Sequence, residues 1–436
     1  MNRKHRIGAR LWGALLLLGL SGQFAWTIEN MYFNVFLYNT ISTDPGYIAA
    51  MVAASAIVAT LTTLVMGVIS DRVGKRKPFI CGGYLLWGLS TMAFGLITVD
   101  NAAALFPAAN AAMAAAVMVI VMDCLMTFFG STANDAAFNA YVTDVIDNTQ
   151  RGKAESVLSI LPLVSMLIIF GLFDGMTQAG NWRMFFFIFG AFVILTGIVA
   201  LFLLKESEVS AQRKPFLSQL IYGFRPSVVK KHTALYLSLA AMCVFSIAVQ
   251  VFFPYLIIYM QHYLKLDAYA LVLGAVLIVA SLTSVIGGRF IDRVGKLRFA
   301  YPAATIMLIG LAAMYFVREM VPVILAGMVM MSGYMLLTSA LMAQIRDLTP
   351  ADKAGHFQGI RMVFTVMLPM IIGPAIGAQV INGNAQTYVD LGQTKIVPTP
   401  AIFLAAAAVL VLTAVPLLLF KKAQPKETTN EEESVC

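Results

Sequence analysis

Charge is what this 436-residue chain has least of: Asp, Glu, Lys and Arg supply only 12% of it, about half the share of a soluble domain. Hydrophobic residues reach 60%, and so apolar a chain is read as an integral membrane protein. No G-x-x-x-x-G-K-[ST] phosphate loop is present, which excludes an ATP-driven motor, and no H-E-x-x-H, which excludes a zinc protease of that type. Histidine is down to four scattered residues, His5, His232, His262 and His356, with no metal-binding pair among them. The four cysteines (Cys81, Cys124, Cys243, Cys436) lack metal spacing and three lie in apolar runs, so neither a metal nor a disulfide is implied. No cofactor and no enzyme are expected.

What is present is a succession of apolar runs long enough for a bilayer of about 30 Å. They cover roughly 10–38, 47–67, 78–99, 114–143, 155–177, 183–204, 233–260, 268–289, 299–316, 321–344, 357–380 and 399–420. Twelve spans predict an all-α fold: a six-helix half over 1–204, a basic linker over 205–232, a second half over 233–420, and a disordered Glu-rich tail over 421–436. The pI near 9.2 and net charge of +8 invite a nucleic-acid partner, but the placement of the charge excludes it. With both termini inside, only Arg183, Lys265, Arg318 and Lys395 of 30 Lys and Arg residues fall outside. That is the positive-inside pattern of a multi-pass plasma-membrane protein, and its natural partner is the lipid bilayer. The basic start (Arg3, Lys4, Arg6, Arg10) resembles that of a signal peptide. The apolar run after it continues through Gln23, Glu29 and Asn30, which suits a retained first helix. No oligomer motif is visible, so a monomer is expected.

A repeat organises the chain. Gly67–Lys77 reads G-V-I-S-D-R-V-G-K-R-K, and Gly288–Lys296 reads G-R-F-I-D-R-V-G-K, half a chain later. This signature resembles the loop between the second and third helices of major facilitator superfamily transporters. The resemblance implies twelve helices in two pseudo-symmetric halves, and an inner gate on Gly67, Asp71, Arg72, Gly74, Lys75 and Arg76 with Gly288, Asp292, Arg293, Gly295 and Lys296. Gly67 and Gly288 would let helices approach closely. Asp71 and Asp292 would accept from a helix N-terminus. Asp144 with Arg151, after the fourth span, and Asp347, after the tenth, read either as further gate contacts or as solvated turns.

The first span carries G-Q-F-A-W-T-I-E-N (Gly22–Asn30). At about 100° per residue, Gln23, Asn30 and Asn34 share one stripe, with Trp26 beside it. Amides donate and accept, and an indole covers the apolar face of a sugar; the same residues also suit helix–helix bonding. The stretch resembles the first helix of sucrose–proton symporters (V-Q-F-G-W-A-L-Q), with Glu29 in place of a Gln. It lies where melibiose permease and its relatives carry K-D-F-A.

The fourth span holds two acids before Asp144, namely Asp123 and Asp135, and charge at such depth marks a pathway by default. Asn134–Thr143 resembles the D-x-P-F-x-S-x-V-P element of glycoside–pentoside–hexuronide cation symporters. That resemblance puts Asp135 at the coupling cation, with Ala137 where the family has Pro. Ala59 and Thr63 stand where sodium-coupled members have two further aspartates. A lone carboxyl suits H⁺ better than Na⁺, because desolvation favours its neutral form. Glu29 and Asp123 are the second candidates for the proton.

In the second half, Gln250, Pro254 and Tyr255 form an interrupted segment that reads as a binding or gating element or as a simple kink. Gln358 opens the eleventh span. Asp174, near the end of the fifth, reads as a solvated cap. The expected function is cation-coupled uptake of a sugar or glycoside by alternating access. A proton-antiport exporter is the alternative, although the fifth span lacks the exporters' G-x-x-x-G-P-x-x-G-G. A non-transporting scaffold or receptor is the remote one.

Overall fold

The computed structural model describes residues 8–146, 150, 154, 157–158, 160–206, 222–350, 354–384, 386–390 and 393–423. Arg151 lies outside them. Among the described residues, eleven helices are long and apolar enough to span a bilayer, and a twelfth is completed by a bent pair. They are α1 Ala9–Thr40, α2 Pro45–Val73, α3 Lys77–Phe94, α4 Ala111–Val145, α5 Leu161–Gln178 and α6 Trp182–Leu203, then α7 Thr233–Tyr263, α8 Tyr269–Val294, α9 Lys296–Phe316, α10 Met320–Leu348, α11 Phe357–Gly383 and α12 Ala401–Lys421. The predicted third span continued to residue 99. In the structure α3 stops at Phe94, and the chain turns through 97° into a short helix, Val99–Leu105.

Each half is knitted by glycine contacts where two backbones touch. A Cβ on Gly88 would lie 2.5 Å from the Gly190 carbonyl, which locks α3 on α6, and one on Gly310 would strike the Met330 backbone of α10 at 2.4 Å. The halves meet along α2–α11 and α5–α8. A β-hairpin that the sequence did not foreshadow pairs β1 (Gln386–Asp390) with β2 (Gln393–Val397) between α11 and α12.

The two ends of the molecule differ. On the end carrying this hairpin, bonds cross between the halves: Tyr38 to the Ile396 carbonyl, His262 Nε2 to Asn39 Oδ1 (2.8 Å), and Tyr255 to the Pro45 carbonyl (3.2 Å). On the opposite, basic end, every ion pair among the described residues stays within one half.

The repeated loop sits on that basic end and folds around Arg76. Gly74 ends α2 in the left-handed region (φ 66°). Arg76, only 3% exposed, then donates to Asp144 (3.0 Å), Ser70 (2.6 Å) and Asp71. Glu206 accepts the backbone N–H of Arg76 (2.8 Å) and of Lys77 (3.3 Å), covering the start of α3. In the second copy Lys296, which aligns with Lys75 and not with Arg76, pairs with Asp347, so Asp144 and Asp347 each brace their own half through a different position of the repeat. Two expectations change. Asp71 bonds the Arg76 side chain rather than a helix N-terminus. Gly67 and Gly288 face open space, with nothing within 4 Å of the place a Cβ would take, so neither is a point of close helix approach in this structure. Arg72, Lys75, Arg293 and Gly295 are exposed at the same end. Asp292 lies within α8.

Candidate functional site

Helical spacing carries one face of α1 into partial exposure. Gln23, Trp26 and Asn30 are partly accessible, while Phe24, Ala25 and Ile28 between them are buried. Phe24 packs edge-on against Phe189 and Phe192 of α6, which fixes the rotation of α1. The helix widens into a π-helical turn at Ile28–Tyr32, and the extra residue shifts the register beyond it. Asn34 therefore leaves the stripe that even spacing predicted. It is 0% exposed, with Nδ2 on the Asn30 carbonyl (2.9 Å).

A second π-helical segment, Ser131–Phe138 of α4, lies opposite and presents Asp135. The Asp135 carboxyl accepts from Ser131 Oγ (3.2 Å) and Asn134 Nδ2 (3.2 Å), and the Trp26 side chain lies beside it. Tyr84 of α3 donates to the Leu18 carbonyl (2.8 Å) and lies 3.2 Å from Asn134 Oδ1. That joins α1, α3 and α4 behind the carboxylate. Trp26 rests on Trp87 with ring centroids 5.5 Å apart. Gly22 makes this geometry possible, since a Cβ there would sit 2.6 Å from Asn134 Oδ1.

Deeper in the same half, Glu29 and Asp123 are both buried. Thr127 donates to Glu29 Oε1 (2.9 Å), and Ser55 of α2 lies beside Asp123. Glu29 is near enough to both aspartates to interact with their charges. Glu29 Oε2 and Asp123 Oδ1 have no partner, and neither residue bonds a Lys, Arg or His among the described residues. Two bare carboxylates in this position would be costly. The arrangement can hold a proton or a small cation between them. No cluster of three or more His, Cys, Asp or Glu that could hold a metal ion occurs among the described residues.

The second-half candidates separate. Gln250 is partly exposed, and its Cβ packs on Gly373 of α11. Tyr255 is buried and bonds the carbonyls of Pro374 (2.9 Å) and Pro45, so it ties the two halves together rather than lining an open cavity. Gln358 lines a separate cavity of about 410 Å³ at the basic end, beside Arg346, Thr349 and Arg361.

Asp174 overturns its expected role as a solvated cap. It is 2% exposed and accepts from Tyr32 of α1 (2.9 Å), Gln178 (2.6 Å) and, across the boundary between halves, Tyr269 of α8. Gln178 also reaches the Asp267 carbonyl (3.2 Å). An acid at the end of an apolar run looks like a cap in sequence; the two tyrosines, 142 and 95 residues away, gave no local signal.

Comparison with known proteins adds to this geometry. A family model described as Major Facilitator Superfamily matches residues 15–374. The chain is 24% identical over 349 residues to Multidrug resistance protein 2 of Bacillus subtilis (strain 168), covering 77% of this chain and 80% of that one. Among solved structures it is similar to a mutant of the nucleoside transporter NupG (TM-score 0.73, 12% identity, 93% of this chain and 98% of that one). It also resembles a D-xylose-proton symporter (TM-score 0.71, 13% identity, 94% and 97%) and the xylose transporter XylE from E. coli (TM-score 0.66, 13% identity, 95% and 98%).

Proposed function

We propose, for a chain that belongs to the Major Facilitator Superfamily and is therefore a membrane transporter rather than an enzyme, that it takes up a sugar or glycoside together with a proton. The observation that carries this reading is the placement of Asp135 against Trp26, on the same partly exposed ground as Gln23 and Asn30. A polyol needs donors, acceptors and an apolar plate, and a coupled carrier needs a titratable group that senses the solute. Here both lie side by side on α1 and α4. The basic end faces the cytoplasm, as the positive-inside rule requires.

In this reading Gln23, Trp26 and Asn30 contact the sugar, and Asp135 exchanges its proton as the sugar binds. Glu29 and Asp123 form the inner proton store. One positive charge moving with a neutral sugar gains about 2.3 kcal/mol per 100 mV, enough for roughly 50-fold accumulation at about 1.4 kcal/mol per decade. A single proton therefore suffices. The two halves rock about the site by alternating access, and the structure corresponds to the state with the hairpin end shut.

The test is the external pH of deenergised vesicles on addition of a sugar and glycoside panel, comparing wild type with Asp135→Asn, with and without sodium. Sugar-triggered alkalinisation that disappears in the variant is the expected result. Sodium-stimulated uptake without a pH response would transfer the cation role to Na⁺. Proton-antiport export is the second reading, favoured by an apolar cavity between the halves and by the relative named as a multidrug resistance protein. Silence to every sugar, with proton-driven loss of a lipophilic dye from loaded vesicles, would establish it instead.

A further inference from the structure

In the first half, Glu206 just past α6 accepts the backbone N–H groups of Arg76 and Lys77 at the start of α3 (2.8 and 3.3 Å). The second half lacks that acid. The chain leaves α6 as L-F-L-L-K-E (201–206) and α12 as L-L-L-F-K-K (417–422), so Lys422 stands where Glu206 would recur. Aligning the two D-R-V-G-K segments sets Leu297 and Arg298 opposite Arg76 and Lys77. Among the described residues no side chain caps α9. The N–H groups of Lys296, Leu297 and Arg298 precede its first intrahelical bond, from Phe299 N to the Gly295 carbonyl (2.9 Å). Open amides at a helix start favour an anion. A cavity of about 620 Å³ lies at this spot, formed by the turn at 294–298 with Tyr301, Gln344 of α10 and Lys421 of α12. Among the described residues no acid lines it. Lys296 is already paired with Asp347, but neither Arg298 nor Lys421 joins an ion pair among the described residues. The Tyr301 hydroxyl is buried with no hydrogen-bond partner.

We infer that this cavity binds the headgroup of an anionic phospholipid, whose phosphate takes at α9 the place that Glu206 holds at α3. Arg298, Lys421 and the Tyr301 hydroxyl supply donors beside the open amides, and a guanidinium suits a phosphate well. The lipid ties the end of α12 to the start of α9, as Glu206 ties the end of α6 to the start of α3. A lipid fits better than a soluble anion because apolar surface adjoins the cations. Val415, Leu418 and Leu419, in the last turns of α12 before Lys421, are about half exposed, as is Val294 of the lining. An acyl chain laid along them brings its headgroup to the cavity. Basic pockets between spans at the inner face are where anionic headgroups bind. The inference does not depend on which solute is carried.

The experiment is native mass spectrometry of the full chain in a neutral detergent, titrated with equimolar phosphatidylglycerol and phosphatidylcholine of matched acyl chains. The first lipid retained is expected to be phosphatidylglycerol by about tenfold, the order set by two basic residues beside an anionic headgroup. Arg298→Gln combined with Lys421→Gln should bring the two lipids near parity. Lys230→Gln combined with Lys231→Gln removes two exposed cations outside the cavity and should keep the preference. Lys422→Glu supplies the acid that the first half carries. It should lose the preference, and in phosphatidylcholine nanodiscs it should melt at the temperature wild type reaches only in phosphatidylglycerol. That readout holds even where the neutralised double variant fails to fold. Equal binding of both lipids by wild type overturns the inference, as does a preference unchanged in both the neutralised and the Lys422→Glu chains. Equal losses in the two double variants overturn it too, by showing attraction to net charge alone. Inorganic phosphate that raises the melting temperature as much as phosphatidylglycerol does would overturn the lipid assignment in favour of a soluble anion.

Discussion

At the scale of single residues, the site depends on atoms that are absent as much as on those present. Gly22 faces Asn134 Oδ1 at 2.6 Å and the Tyr84 hydroxyl at 3.2 Å from the position of a Cβ. Gly22→Ala must therefore push α1 off α4 or displace Asn134, which also donates to Asp135. Overpacking of this kind costs about 1–3 kcal/mol, and here the strain falls on the residues proposed to couple sugar to proton. The expected outcome is normal membrane insertion with sugar-dependent pH change reduced at least tenfold, measured in vesicles matched for protein content. Gly67→Ala is the control. Its Cβ would meet nothing in this structure, so the melting temperature in detergent should stay that of wild type, whereas Gly22→Ala lowers it, despite the place of Gly67 in the repeated signature. A spacing pattern can show that a glycine recurs; it cannot show which of two glycines has a neighbour.

At the scale of elements, the spans were legible because their apolar content is set by the bilayer, and the Arg76 and Lys296 loops were legible because they repeat. The π-helical turns found among the described residues, in α1, α4, α5, α7 and α11, were not, since one added residue leaves hydropathy unchanged while shifting every side chain beyond it. That is why Gln23, Trp26 and Asn30 share a face as even spacing predicts and Asn34 does not. The two copies of the repeat also carry different weight. Arg76 is buried and forks to three partners, a geometry that the single ammonium of lysine cannot reproduce. Arg76→Lys should lower stability by about 2 kcal/mol, given the half-exposed Asp71 among its partners. Lys296→Ala breaks a solvent-facing pair and should cost no more than about 1 kcal/mol. Thermal unfolding of both variants in the same detergent checks the order: a clear fall in melting temperature for Arg76→Lys and little change for Lys296→Ala.

At the scale of the whole molecule, the question is what holds the hairpin end shut while the basic end has no ion pair between halves among the described residues. The answer centres on Asp174. It sits on α5, where the halves meet, accepts from Tyr32 of its own half and Tyr269 of the other, and is braced by Gln178, which also reaches the Asp267 carbonyl. Hydrogen bonds to a charged acceptor contribute about 1.5–3 kcal/mol each, so losing one of them moves a two-state equilibrium by tenfold or more. Asp174→Asn keeps the shape and removes the charge, while Tyr269→Phe removes only the donor from the second half. Both should shift the resting population toward the state open at the hairpin end. Spin labels on Asp100→Cys and Glu319→Cys, in a chain whose native cysteines are replaced, would report this as growth of a longer-distance population. Because Tyr32 lies in the first half, Tyr32→Phe should weaken the acid's support without cutting the link between halves and should produce the smaller shift. Equal shifts for Tyr32→Phe and Tyr269→Phe would mean that Asp174 merely stabilises α5. An unchanged distance distribution in Asp174→Asn would assign closure to the packing of α2 on α11 and to the bonds of Tyr255 instead.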